Sequence, residues 1–211
     1  MRGKSGTLLI VLGLTLLLAA AGLVGWNLYE GYRAQQSSAQ LVQQLDTLLP
    51  TPTPVTKPAP AAPGAEVEIP DYILNPHMDM PEVEIDGRAY IGTLELPSLG
   101  LEFPIISHWS YDGLLVSPCR YTGSAYSDDL VLAAHNYNSH FGRLKNLQIG
   151  DSVLFTDADG NQFAYAVAVK ETLQPTAVEE MTDSGFPLTL FTCTLGGSYR
   201  VTIRCEKAEM N

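Results

Sequence analysis

The sequence predicts a mainly-β domain, a sheet or barrel, carried behind one long apolar N-terminal helix. Three observations predict it. Thr7 to Trp26 is an unbroken uncharged stretch. Pro50 to Gly64 (PTPTPVTKPAPAAPG) is too rich in proline for helix or sheet. From about Tyr72 onward the chain breaks into short β-type runs punctuated by Gly, Pro, Asn and Asp.

Taken in order, Thr7–Trp26 (TLLIVLGLTLLLAAAGLVGW) is long enough, at about 1.5 Å per residue, to cross a hydrocarbon layer of about 30 Å. Arg2 and Lys4 precede it, which places the N-terminus in the cytoplasm and everything beyond Trp26 outside. The competing reading is a cleaved signal peptide, with Ala19–Gly22 as its cleavage site. The uncleaved anchor is favoured because the apolar run continues past those residues. Leu41, Val42, Leu45, Leu48 and Leu49 then recur at helical spacing within Gln35–Leu49, predicting a short juxtamembrane helix. The proline-rich run after it is a polyproline-like spacer. The resulting domain boundaries are 1–6 (cytoplasmic), 7–28 (transmembrane), 29–71 (juxtamembrane helix and linker) and 72–211 (extracellular domain).

Seven strands are predicted: Ala89–Leu96, Leu101–Ile106, Asp129–Ala134, Ser152–Thr156, Gln162–Val169, Leu188–Thr194 and Tyr199–Cys205. Asp157–Asn161 (DADGN) reads as a hairpin turn. It supplies no downstream acidic ligand for calcium, so no metal is assigned there.

Composition narrows the function. With 12 basic and 23 acidic residues the formal charge is −11, which argues against nucleic acid as a partner. The three cysteines, Cys119, Cys193 and Cys205, have neither the spacing of a zinc site nor the density of a disulfide framework. A Cys119–Cys205 disulfide is compatible with an extracellular domain, but so are two buried free thiols.

A thiol nucleophile needs a base or an electropositive neighbour, and a donor for the oxyanion it creates. Cys193 ends a strand-like run and is followed by Leu195, Gly196 and Gly197, which turn the chain. Cys205 alternates with Val201 and Ile203 and reads as core. His135 directly follows the apolar run LVLAA, at a strand-to-loop position, and His140 lies within the loop. On the last strand Arg200, Thr202 and Arg204 share one face. Arg200 is one short hairpin from Cys193, whereas Arg204 is about 13 Å further along.

TLFTC at Thr189–Cys193, the following YRVTIR, AAHN at Ala133–Asn136 and YIGTLELPSLGLEFPI at Tyr90–Ile105 together resemble the sortases of Gram-positive bacteria. The resemblance implies a closed eight-stranded β-barrel with short helices. It implies a cysteine transpeptidase that cleaves an LPxTG-like sorting signal through a thioacyl intermediate and joins the surface protein to an amine of a peptidoglycan precursor or a pilin subunit. Cys193 is then the nucleophile, His135 the acid and base, and Arg200 the oxyanion donor. Thr192 shapes the oxyanion site; Asn136, Leu190 and the segment Glu171–Pro187 contact substrate. The resemblance calls for no metal or organic cofactor. The subclass is left between B-like and D-like: the short Glu171–Pro187 segment leaves little room for the long helix of typical class B members. Two rivals stand beside this reading, a cysteine hydrolase that passes the acyl group to water and a non-catalytic extracellular β-module.

Overall fold

The computed structural model describes residues 3–48, 50, 53–54 and 70–208. Most of the proline-rich spacer predicted at Pro50–Gly64 lies outside the described residues.

The N-terminal helix α1 runs without a break from Gly3 to Leu48. The separate juxtamembrane helix expected from Gln35 is therefore the last part of one rod. Gly31 is the weakest helix former between the two apolar stretches, and a single glycine costs only about 1 kcal/mol. A long helix absorbs that without breaking. Of the face predicted to be apolar, Leu45 and Val42 are buried and Leu41 partly so, while Leu48 is exposed. Leu45 and Leu41 pack against the folded domain rather than lying free of it.

The remaining elements are β1 (Thr53–Pro54), α2 (Asp71–Leu74), β2 (Val83–Ile85), β3 (Arg88–Leu96), β4 (Leu101–Ile106), α3 (Tyr111–Leu114), β5 (Cys119–Thr122), β6 (Leu130–Ala133), β7 (Ser152–Asp157), β8 (Asn161–Leu173), α4 (Val178–Thr182), β9 (Leu188–Cys193) and β10 (Arg200–Lys207). Eight of the strands close into a barrel in the order β3-β4-β5-β6-β9-β10-β8-β7 and back to β3. The β4–β5 and β6–β9 pairings are parallel, and the other pairings of the ring are antiparallel. The strands β1 and β2 pair on the outside of this ring, with β8 and β3.

Closure depends on β3 pairing with both β4 and β7. At the seam a side chain on Gly92 (φ 140°) would bring its Cβ to 1.9 Å from the Thr156 carbonyl oxygen, so only glycine fits. The predicted turn between β7 and β8 is organised by Asp157, whose buried carboxylate accepts hydrogen bonds from Asp159 N, Asn161 N, Asn161 Nδ2 and Tyr126 Oη. Those donors tie the turn to the Tyr126 loop.

Alternation divides the strand residues between two cores. Ile91, Leu94, Phe103, Ile105, Leu132, Leu190, Ile203 and Cys205 fill the barrel. Tyr90, Ile106, Cys119 and Ala133 face outward into a second cluster with Leu45, Ile85 and Leu114. Cys119 and Cys205 thus belong to different cores, and both thiols are free. Burial pushes them up, Cys119 to about 11 and Cys205 to about 12. They are small hydrophobic residues here, and no disulfide joins them.

Candidate active site

The parallel pairing of β6 with β9 brings two chain ends out side by side. Ala133 is in register with Phe191. One step further, Ala134 N donates to Phe191 O at 3.2 Å and Thr192 Oγ1 donates to Ala134 O at 2.8 Å. Continuing the register sets His135 beside Cys193, both leaving the barrel at its rim.

Strand β9 ends at Cys193 because the chain must reverse there. Thr194 N donates to Tyr199 O at 2.9 Å, and Gly196 and Gly197 take φ values of 85° and 75°, which favour glycine. The reversal returns β10 antiparallel with Arg200 directly opposite Cys193. Residues directly opposite in such a pair point to the same face. Cys193 and Arg200 therefore share the outer face of the barrel with Phe191 and Ala133.

A groove of about 410 Å³ lies over this face. Cys193, His135, Arg200 and Thr192 all line it. One wall is aromatic and apolar: Trp109, Tyr111, Leu114 and Tyr121, with Phe191 at its foot. Their rings meet edge to face, Trp109–Tyr111 at 4.9 Å and Tyr121–Phe191 at 5.4 Å. The other wall is the β8–β9 connection, through Gln174, Pro175, Ala177, Val178 and Met181. Partial burial lowers the pKa of His135 from its ordinary value, favouring the neutral imidazole. The Arg200 guanidinium lies against the turn, with Nη1 donating to Gly197 O at 3.1 Å and to Tyr199 O at 3.2 Å.

Of the expected contact residues, Thr192 lines the groove and Leu190 and Asn136 do not. Leu190 is wholly buried inside the barrel, on the face of β9 opposite Cys193, and is not among the groove-lining residues where substrate contact was expected of it. Asn136 stands beside the groove's His135 but is not among the lining residues. Thr192 is 3 % exposed and its hydroxyl is spent on Ala134, so it joins β9 to the end of β6. The aromatic wall was not among the predicted site residues. The run His108–Trp109–Ser110–Tyr111, two aromatics on a loop after a strand, is the sequence signal that marks it.

Cys193, His135 and Arg200 thus line one largely apolar groove at the rim of a closed eight-stranded barrel. The sortase domain profile matches residues 94–208, from β3 through the last strand. The chain belongs to the sortase family, whose members are transpeptidases associated with the cell surface. It is 25 % identical over 195 residues to sortase A of Bacillus anthracis, a match covering 87 % of this chain and 85 % of that protein. Among solved structures, sortase C1 of Streptococcus agalactiae superposes with a TM-score of 0.52 at 21 % identity, covering 61 % of this chain and 72 % of the other. A pilus-related sortase C of Group B Streptococcus gives 0.51 at 21 % identity, covering 64 % and 78 %. At these identities the structural likeness speaks for the fold.

Proposed function

We propose that this chain is a membrane-anchored cysteine transpeptidase that cleaves an LPxTG-like sorting signal and joins the surface protein to an amine. The observation that carries the reading is the convergence of Cys193, His135 and Arg200 on one outer face of the barrel, within one groove. In the first step neutral His135 takes the Cys193 thiol proton as the sulfur adds to the Thr–Gly carbonyl of the signal. The oxyanion that forms is met by the Arg200 guanidinium, which leaves the Gly197 and Tyr199 carbonyls to do so. The C–N bond then breaks, with His135 giving the proton to the departing amine. In the second step an amine attacks the thioacyl carbon, His135 takes its proton, the C–S bond breaks, and the departing Cys193 sulfur regains that proton from His135. The acceptor is an amine of a peptidoglycan precursor or of a pilin subunit. The apolar and aromatic walls suit a donor rich in leucine and proline.

The segment Gly6–Trp26, with a mean hydropathy of 2.6 and its side chains exposed, serves as the anchor. The N-terminus is then cytoplasmic and the barrel extracellular, following Arg2 and Lys4.

The test uses the full chain in detergent with a sorting-signal peptide library, with and without a free amine. We expect a joined product, and a thioacyl adduct on Cys193 seen by mass spectrometry. Cys193→Ala and His135→Ala should abolish both. Arg200→Ala should lower kcat by about 10²–10³-fold. Hydrolysis that amine leaves unchanged, with no joined product, would make the protein a hydrolase instead. No turnover on any peptide would make it a non-catalytic module.

A further inference from the structure

The wall formed by the β8–β9 connection has little to hold it. Its one helix, α4, is five residues long, and a helix of that length has no stability of its own. Of its residues only Met181 is buried; Val178 is half exposed. Yet Gln174, Pro175, Ala177, Val178 and Met181 form one side of the groove above Cys193.

What fastens this segment is Arg204, the arginine that the choice of Arg200 left without a role. It lies on the outer face of β10, across from Thr189 on β9 and Val169 on β8, and is 3 % exposed. Its guanidinium is almost fully spent. Nε donates to Glu171 Oε1 at 2.7 Å, Nη1 to Met181 O at 3.1 Å and to Thr189 Oγ1 at 3.0 Å, and Nη2 to Glu180 O at 2.6 Å. Two of these acceptors are carbonyls at the end of α4, which the helix itself leaves unpaired. A second, weaker contact backs them, from Thr202 Oγ1 to the Met181 sulfur at 3.8 Å.

We propose that Arg204 is a positioning residue for the acyl donor. It clamps the β8–β9 segment to the barrel and so sets the width of the groove, without touching the reacting atoms. The planar fork is what the geometry needs, because its acceptors lie on three different elements; a lysine ammonium could meet only some of them. Glu171, at the start of the segment, supplies the clamp's counter-charge. The inference rests on the transpeptidase reading for its consequence and on the hydrogen bonds alone for the clamp.

The experiment compares full-length wild type with Arg204→Lys and Arg204→Gln in detergent, by three readouts. The first is KM and kcat on the sorting peptide. The second is the rate at which iodoacetamide alkylates Cys193. The third is amide hydrogen exchange across residues 174–187. For Arg204→Gln we expect KM to rise about tenfold or more with kcat within about threefold, exchange in 174–187 to accelerate, and alkylation to stay within about twofold. Arg204→Lys should fall between. A loss confined to kcat, or a changed alkylation rate, would overturn the proposal by placing Arg204 in the chemistry. Unchanged exchange in 174–187 would overturn it by removing the clamp. If Arg204→Gln does not fold, Glu171→Gln, which leaves the buried arginine and removes only a partly exposed charge, should give the same pattern more weakly. Unchanged KM and exchange in that variant would overturn it equally. Wild type that turns over no peptide would instead refute the transpeptidase reading, while the exchange comparison still decides the clamp.

Discussion

His140 stands five residues beyond His135 in the same loop and is wholly buried. Among the described residues, its two ring nitrogens and the neighbouring Ser139 hydroxyl have no hydrogen-bond partner. The loop closes tightly around it: Phe141 N donates to His135 O at 3.2 Å, and the Tyr137 ring lies 5.1 Å from that of His135 and 5.6 Å from that of His140. Burial lowers the pKa of His140 to about 4; the nearby His135 adds to this, and a loose contact with the Val116 backbone opposes it weakly. Unfolded, the same imidazole titrates near 6.5. As pH falls below 6.5 the unfolded chain therefore takes up a proton that the folded chain refuses until about 4. The stability from a neutral His140 is present above pH 6.5 and is lost as pH falls through that window, by up to about 3 kcal/mol. Urea unfolding at pH 7 and pH 4.5 should show wild type losing markedly more stability on acidification than His140→Phe. Equal losses would remove His140 as the cause.

At the scale of elements, the end of α1 is built into the domain. Leu45 is wholly buried in the outer cluster with Tyr90, Ile106 and Cys119, and that cluster also contains Leu114 and Ala133, which line the groove. Leu45→Ala should destabilise the full chain by about 2–4 kcal/mol in denaturant titrations in detergent. A change under about 0.5 kcal/mol, the range of exposed positions, would mean that the helix does not dock in solution.

The elements differ in how far the sequence announces them. Strands β3, β4, β7 and β9 are legible from alternation or from apolar runs between turn residues. Strand β5 is not: Cys119–Arg120–Tyr121–Thr122 is four residues with no apolar period, held by a single parallel pair to β4 and a bulged ladder to β6. Strand β8 runs past its apolar part through Lys170–Leu173, because β10 pairs with it as far as Leu173–Arg200. Local pattern carries no trace of such partners. The same division holds at the site. The strand-end position of Cys193 is visible in the sequence and His135 is picked out mostly by the family resemblance, whereas the burial of Arg204 and the place of Trp109 in the groove depend on which distant segments fold over them.

Across the whole molecule, only one of the three thiols is reachable from solvent. Cys119 and Cys205 are fully buried, with thiols pushed far up, while Cys193 opens into the groove. If the barrel lies outside the cell, as proposed, a membrane-impermeant maleimide should label this protein on intact cells at a single cysteine, and Cys193→Ala should abolish that label. Labelling that appears only after lysis would reverse the orientation.

The unbroken course of α1 has a mechanical consequence for such an enzyme. Between Trp26, where the apolar stretch ends, and Leu41, where docking begins, the helix rises by about 22 Å. A flexible tether would let the barrel sample many heights; a helix seated at both ends has no slack and can only tilt. On the proposed reading the groove-bearing rim is then held at nearly constant altitude above the lipid. On that reading a donor still threaded in the same bilayer is cut only where its scissile bond hangs at that level, and the length of chain between a sorting signal and its own membrane segment becomes part of what is selected.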